Sequence, residues 1–544
     1  MSSSCSSEQA GTAAPASVVL DGSSRLPREV IGNKGYAINA MCRNGLPVPP
    51  AFCITTEVCR RYFADPDHAL TDIWDEVLGR MQWLERRTSR TFGTGPSPLL
   101  VSVRSGGAVS MPGMLDTVLN LGIDDAVEAA LKDVGGPQFA HETRARFTSM
   151  YRRIVLNDID GGVPTDPYAQ LRAAIEAVFG SWHSERAVTY RKHHRLGDIA
   201  GTAVMVQAMV FGNHGPESGT GVLFSRNPIT GTNEHFGEWL RGGQGEDLVA
   251  GTVDGASVIA LRDEQPAVYQ QLIDAARTLE RLDGDVQDIE FTVEDGRLWL
   301  LQTRVAKRSA QAAVRLALQM RSEGLIDDAE TLRRVTPEQI ASLLRPSLQP
   351  ETRLGAPLLA NGLPACPGVA SGRAYADVNE ALDAAASGED VILVRSYTSP
   401  DDVQAMLAAS GIVTEVGGAT SHAAVISREI GRPTVVGCGA GATAALAGRL
   451  VTVDGTEGEV REGILRLETW SQKNSPDLAM LADIACRVSP LRAHATGNYP
   501  ELQDNSADAV KRAISDGHAD VVSPTPLLTM LTALRLSDPN GSSS

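Results

Sequence analysis

The chain has 544 residues, 42% hydrophobic and 21% charged, with 49 basic against 66 acidic side chains and a formal net charge of -17. That length suits about two to four domains, each burying its own core, and the composition excludes a disordered chain. The acidic balance excludes a nonspecific grip on nucleic acid or on an anionic membrane, so any phosphate must be held by a few placed cations and a metal.

The start, MSSSCSSEQAGTAAPAS, lacks a basic segment followed by an apolar one, and no apolar run reaches bilayer-spanning length. A cytoplasmic location is expected. The cysteines, Cys5, Cys42, Cys53, Cys59, Cys366, Cys438 and Cys486, form no C-x-x-C pair, which argues against a disulfide framework and suggests no zinc site. Cys438 reads as a small core thiol.

In chain order, residues 1–25 are rich in Ser, Ala and Gly and read as a disordered tail. Residues 26–344 alternate strand-like runs (PLLVSVRSGG, GTAVMVQAMVFG) with helical ones (SAQAAVRLALQMRSEG), which predicts a large α/β or α+β unit. Within it, GNKGYAINAM sets Lys34 between glycines before a helix, and VSVRSGGAVSMPGM ends a strand at Arg104 before a glycine loop. Both bring a cation to a place where backbone N–H groups are exposed to phosphate, and the plain alternative for each is an ordinary turn. Neither these nor ESGTGVLFSRNP matches the G-x-x-x-x-G-K-[ST] or G-x-G-x-x-G patterns.

Residues 286–304, VQDIEFTVEDGRLWLLQTR, predict a hairpin with Glu294, Asp295 and Gly296 as a three-residue tip. That register sets Asp288 opposite Gln302 and puts Asp288, Glu290, Gln302 and Arg304 on one face, with Ile289, Phe291, Val293, Trp299 and Leu301 on the other. A two-residue tip would split Glu290 from Gln302. Two carboxylates, an amide oxygen and a guanidinium together suit magnesium and a polyphosphate; the plain alternative is a surface hairpin with a salt bridge.

Residues 345–368 hold five prolines with little periodicity, and 345–360 read as a semi-stiff linker. A smaller unit follows over 361–467, where short strands (VILVRS, GIVTEV, PTVVG, LVTVDG) alternate with alanine-rich helices. In it, GGATSHAAVISREIG places His422 in the first turn of a helix, with Thr420 or Ser421 as its N-cap. The helix dipole disfavours a charged imidazolium there, which helps keep the ring neutral near pH 7, and on the residues alone the plain alternative is a structural histidine. Surrounding glycines and alanines allow close approach by another domain. Residues 468–544 predict helices at SADAVKRAISDG and PLLTMLTALRL, one strand at ADVVS and a frayed end.

Taken together, GNKGYAINAMCRNGLPVPPAFCITTE, VSVRSGGAVSMPGMLDTVLNLG, VFGSWHSERAVTYR, GTAVMVQAMVFGN, SGTGVLFSRNPITG, FGEWLRGGQGEDLVAG and QDIEFTVEDGRLWLLQTR resemble, in order, the nucleotide-binding domain of the pyruvate phosphate dikinases. The histidine stretch is similar to that family's phosphohistidine motif at Gly417, Gly418, Thr420, Ser421, His422, Ala423 and Ala424, with Ala419 where methionine is usual. The resemblance implies a multidomain α/β and α+β chain: an ATP-grasp domain, a swivelling phosphohistidine domain and a short helical remnant of a barrel.

It further implies phosphate contacts from Lys34 and Arg104, and service to magnesium and phosphate by Asp288, Glu290, Gln302 and Arg304, with Glu290 and Gln302 on the metal. Gln207, Met209 and Val210 are implied as an adenine-facing hinge, Glu238 as a ribose contact, and His422 as the carrier of a phosphoryl group from ATP. Magnesium, phosphate, and pyruvate or phosphoenolpyruvate follow as expected cofactor and partners, and a homo-oligomer is compatible with the family.

The family's barrel needs roughly 250 residues, and the 77 residues after Leu467 do not hold it. The expectation is therefore a separate barrel protein that supplies the acceptor half. Water dikinases and rifampin-type phosphotransferases share the two domains, but the dikinase-like strings argue against them. A nonenzymatic, nucleotide-binding regulatory partner is the reading of another class, opposed by the intact polar set.

Overall fold

The computed structural model describes all residues except 1–13, 110, 112, 194–195, 197–200, 250–252, 254, 345, 349, 470–474 and 538–544. The chain divides into two compact units, Met1–Ser218 with Arg297–Thr303, and Gly219–Gly296 with Arg304–Ser544. The division therefore falls inside the stretch expected to be one nucleotide-binding domain.

The first unit is built on strands β1 (Ser17–Val19), β2 (Ala51–Ile54), β3 (Val101–Gly106), β4 (Thr117–Leu121) and β5 (Ala203–Ala208), in the order β1-β2-β5-β3-β4. The expected tail is corrected here: Ser17–Val19 pairs antiparallel with β2, and Ser17 is tied to Glu76 by its N–H and its hydroxyl, so ordered structure begins before residue 25. One face of the sheet, with Phe52, Val101, Val103, Val118, Val204 and Val206, packs on helices α2 (Asp125–Tyr151) and α3 (Pro167–Gly180). The other face carries Arg104 opposite Met205, and Met205 opposite Cys53. Helix α1 (Arg28–Arg43) lies on it, with the Cys53 thiol 3.5 Å from the Ile31 carbonyl.

In the second unit, β6 (Gly219–Phe224), β7 (Phe236–Arg241), β8 (Ala256–Ser257) and β9 (Gln287–Glu294) form an antiparallel sheet in the order β8-β7-β6-β9. The chain leaves β9 through Asp295 and Gly296 into β10 (Arg297–Val305). The three-residue tip is a two-residue one: Asp295 and Gly296 both have positive φ, 48° and 73°, as a type I′ turn demands.

An eight-stranded sheet follows, made of β12 (Leu358–Asn361), β13 (Leu363–Cys366), β14 (Val369–Tyr375), β15 (Val391–Arg395), β16 (Gly411–Thr414), β17 (Thr434–Val436), β18 (Leu450–Asp454) and β19 (Glu459–Glu462). Its order is β12-β19-β18-β14-β15-β16-β17-β13, with β14 to β17 parallel. The expected linker is more structured than its prolines suggested. Its strand β11 (Pro346–Leu348) pairs antiparallel with β20 (Leu467–Thr469), so the segments entering and leaving this region run side by side.

Helices α5 (Ala310–Ser322), α6 (Asp328–Arg333) and α7 (Pro337–Leu343), assigned from sequence to the nucleotide-binding domain, pack instead with the C-terminal residues. Val314, Leu332 and Ile340 share a core with Leu481, Val510, Val521 and Leu531. The expected C-terminal elements are present as α11 (Ala507–Ser515), β22 (Asp520–Val522) and α12 (Pro526–Ser537), joined by α10 (Pro476–Val488) and by β21 (Arg492–His494), parallel to β22. No helix among the described residues is long and apolar enough to cross a membrane.

Candidate functional site

In the first unit two glycine-bracketed segments converge. Helix α1 is interrupted at Gly32, whose φ of 70° breaks the helix, and the next N–H, that of Asn33, donates to the Gly107 carbonyl at 2.8 Å. Lys34 therefore sits in the first turn of the restarted helix, with its Cβ against Gly106 at the end of β3. A side chain at Gly32 would place its Cβ 1.9 Å from the Gly106 carbonyl oxygen, so glycine is required for this approach. Arg104 lies on β3, and its Nη2 donates to Gln302 Oε1 at 3.3 Å, joining two residues 198 apart in the chain.

The three hinge residues lie on and just past β5. The Gln207 amide is buried and donates to the Pro49 carbonyl at 3.2 Å. Met209 packs on the first unit's core while its N–H donates to the Leu100 carbonyl, and Val210 is half-buried.

In the second unit Arg304 Nε donates to Asp288 Oδ2 at 2.8 Å, so this pair meets despite the two-residue tip. The strand alternation breaks at Gln302 and Thr303, which are both buried. Burial pushes the Asp288 carboxyl above the usual range, with Arg304 opposing and Glu290 adding to the rise. Asp288 Oδ1 is buried with no hydrogen-bond partner among the described residues. Among those residues no group of three or more His, Cys, Asp or Glu gathers to hold a metal. Magnesium still suits this donor set, because it binds through one or two carboxylates and fills its shell with water and substrate phosphate; the orphaned Asp288 oxygen is the kind of atom that such a shell satisfies.

His422 opens helix α9 (His422–Ile430). Ser421 is the N-cap, its hydroxyl accepting the Ala424 N–H at 3.4 Å, while Thr420 is used otherwise. The Thr420 hydroxyl donates to Glu238 Oε2 at 2.9 Å and its N–H lies 3.3 Å from Oε1. A Cβ on Gly418 would come 1.8 Å from Glu238 Oε1, so the loop before His422 admits that carboxylate only because it has no side chain there. Ala423 and Ala424 pack closely on Ala365 and Val436.

The His422 ring is 8% exposed, and burial pulls its pKa down to about 4, so it is neutral near pH 7. Its Nδ1 lies 3.1 Å from the Thr398 hydroxyl, whereas Nε2 is buried with no partner among the described residues. One ring nitrogen is thus oriented and the other is left for a ligand.

Residues 71–271 match the pyruvate phosphate dikinase AMP/ATP-binding domain, and residues 387–458 match the mobile domain of PEP-utilising enzymes. Over most of its length the chain is similar to the pyruvate, phosphate dikinases. It is 37% identical over 541 residues to pyruvate, phosphate dikinase of Clostridium symbiosum, covering 89% of this chain and 61% of that protein. Against chloroplastic pyruvate, phosphate dikinase 1 of Oryza sativa subsp. japonica it is 40% identical over 454 residues, 76% of this chain and 48% of that one. The chain spans about three fifths of the length of the Clostridium relative or less of the others.

The dikinase-like residues expected from sequence fall into two groups: Lys34, Arg104, Gln207, Met209, Val210 and Gln302 in the first unit, and Glu238, Asp288, Glu290, Arg304 and His422 in the second. Within them the structure joins Arg104 to Gln302 and Asp288 to Arg304. Thr398 and Arg428 were missed from sequence. Thr398 comes from a loop 24 residues before His422, with no motif to mark it.

Proposed function

We propose that this chain catalyses the ATP-dependent half of a dikinase reaction, in which His422 takes a phosphoryl group from ATP and carries it toward phosphate or pyruvate chemistry. The observation that carries the reading is the asymmetry of the His422 ring, with Nδ1 at Thr398 and a buried, unpartnered Nε2.

With the Nδ1 proton donated to Thr398, the lone pair of the neutral ring lies on Nε2. It forms the N–P bond as the P–O bond to the nucleotide breaks, and the electron pair leaves with the nucleotide oxygen. The N–H groups at the start of α9 then face the new phosphate dianion. From the first unit, Lys34 and Arg104 bind phosphate oxygens, and Gln207, Met209 and Val210 lie along the base. From the second, Arg304 balances phosphoryl charge, Asp288 holds Arg304, and Glu238 serves the ribose or the histidine loop. Magnesium, for which the resemblance implies Glu290 and Gln302 as ligands, would neutralise polyphosphate charge when bound.

Pyruvate or phosphoenolpyruvate as the final partner, at a half-site outside these residues or on another polypeptide, follows from the relatives. Incubation with Mg-ATP labelled at its terminal or internal phosphates, with and without inorganic phosphate, tests the reading. Acid-labile label on His422 is expected, and its absence under every condition would sink it. A requirement for phosphate in turnover separates the dikinase from water dikinase and rifampin-type chemistry.

A further inference from the structure

Arg428 lies on α9 less than two turns beyond His422, and it is 5% exposed. Its guanidinium makes three hydrogen bonds, each to a main-chain carbonyl of a different segment. Nη2 donates to Ala419 at 2.9 Å in the loop before His422, Nη1 to Ala365 at 3.3 Å in β13, and Nε to Lys307 at 3.2 Å just beyond β10. Its Cζ is 5.7 Å from the centre of the Phe224 ring, and Phe224 is the residue paired across the ladder with Asp288.

These contacts divide between two parts of the second unit. Ala419 and Ala365 belong to the region of the eight-stranded sheet. Lys307 and Phe224 belong to the region of β6 and β9, three residues past Arg304 in one case and opposite Asp288 in the other. Two neighbouring contacts tie the same regions: Lys307 pairs with Glu429 at 3.2 Å, and Glu238 holds Thr420.

Burying a guanidinium on neutral acceptors is costly, and burial pushes this one down to about 10, with Cys366, Asp288 and Glu238 opposing. A rigid fork of five donors reaches three carbonyls at once; a lysine ammonium has neither the span nor the planarity.

We infer that Arg428 is a positioning residue for the phosphoryl transfer: it sets the loop that carries His422 in register with the strand positions of Asp288 and Arg304. Only the kinetic arm of its test rests on the proposed phosphotransferase activity. In the structural arm, hydrogen exchange of the full chain without nucleotide is compared for wild type, Arg428→Met and Arg428→Lys. Both variants raise exchange at residues 305–308 and 417–424 together, because the charge alone does not replace the fork.

In the kinetic arm, single-turnover labelling of His422 at saturating Mg-ATP falls by about tenfold or more, since small misplacements of a reacting group are costly. ATP affinity, measured in the His422→Gln background, stays within about twofold, which a general loss of structure would not allow. Unchanged exchange in both segments, or wild-type labelling in both variants, overturns the inference. If Arg428→Met does not fold, the milder Arg428→Lys carries both measurements. A wild-type chain that never labels His422 defeats the phosphotransferase reading instead, and the exchange arm still decides the role of Arg428.

Discussion

The polar groups of the two units are prepared in opposite ways. In the first, Lys34 and Arg104 are half-buried cations placed by backbone: a glycine-broken helix, a strand end and a glycine loop. In the second, Asp288 and His422 are buried, and their protonation is shifted by loss of water. On the proposed reading, the first unit attracts charge, whereas the second sets the reactivity of a nucleophile. Mutations should separate the two by what they damage.

The largest effect falls on the second unit. His422→Gln removes the acceptor nitrogen, so acid-labile labelling from ATP vanishes while nucleotide binding, followed by calorimetry, persists. In the first unit, Arg104→Met should slow labelling by about 10²–10³-fold, the usual cost of losing one preorganised charge-stabilising donor. Equal ATP affinity and equal single-turnover rate in that variant would break the comparison.

Acid sharpens it further. The folded pKa of His422, about 4, lies below the ordinary 6.5, so between those values the unfolded state binds more protons than the folded one. Its contribution is intact above pH 6.5 and is lost as pH falls to 4, amounting to about 3 kcal/mol at most. Denaturant melts of wild type and His422→Gln should therefore converge at neutral pH and diverge in acid, with the variant losing less. Lys34→Met should leave this acid dependence untouched.

Smaller effects come from the supports of the ring. Thr398→Val leaves Nδ1 without its partner and should slow labelling by about tenfold, with a changed tautomer balance visible by ¹⁵N NMR. Ser421→Ala removes the cap of α9 and should cost about 1 kcal/mol in a denaturant melt, with little change in ATP affinity.

Much of this was legible in the chain, and the misses have physical causes. Asp295-Gly296 is a strong two-residue turn signal, since both residues accept positive φ, and the three-residue tip gave too little weight to it. The prolines of 345–360 suggested a semi-stiff linker without strand pairing because the partner strand of β11, Leu467–Thr469, lies more than a hundred residues downstream. Helix α5 is apolar on more than one face, so periodicity alone left it with the preceding domain. Val314 and Leu318 pack with the C-terminal helices, whereas Ala312 and Leu316 pack with Phe224.

The sequence by itself determined the local chemistry: that Lys34 is set between glycines before a helix, which hydroxyls stand ready to cap α9, and that a lone histidine begins that helix beside small residues. These depend on neighbours along the chain, whose geometry short-range sterics and hydrogen bonding dictate. Tertiary structure alone decided that Ser421 caps while Thr420 meets Glu238, 182 residues away, that Arg428 spans three segments, and that His422 loses its water and stays neutral. Desolvation and long-range hydrogen bonds depend on what packs around a group, and packing is a property of the whole fold.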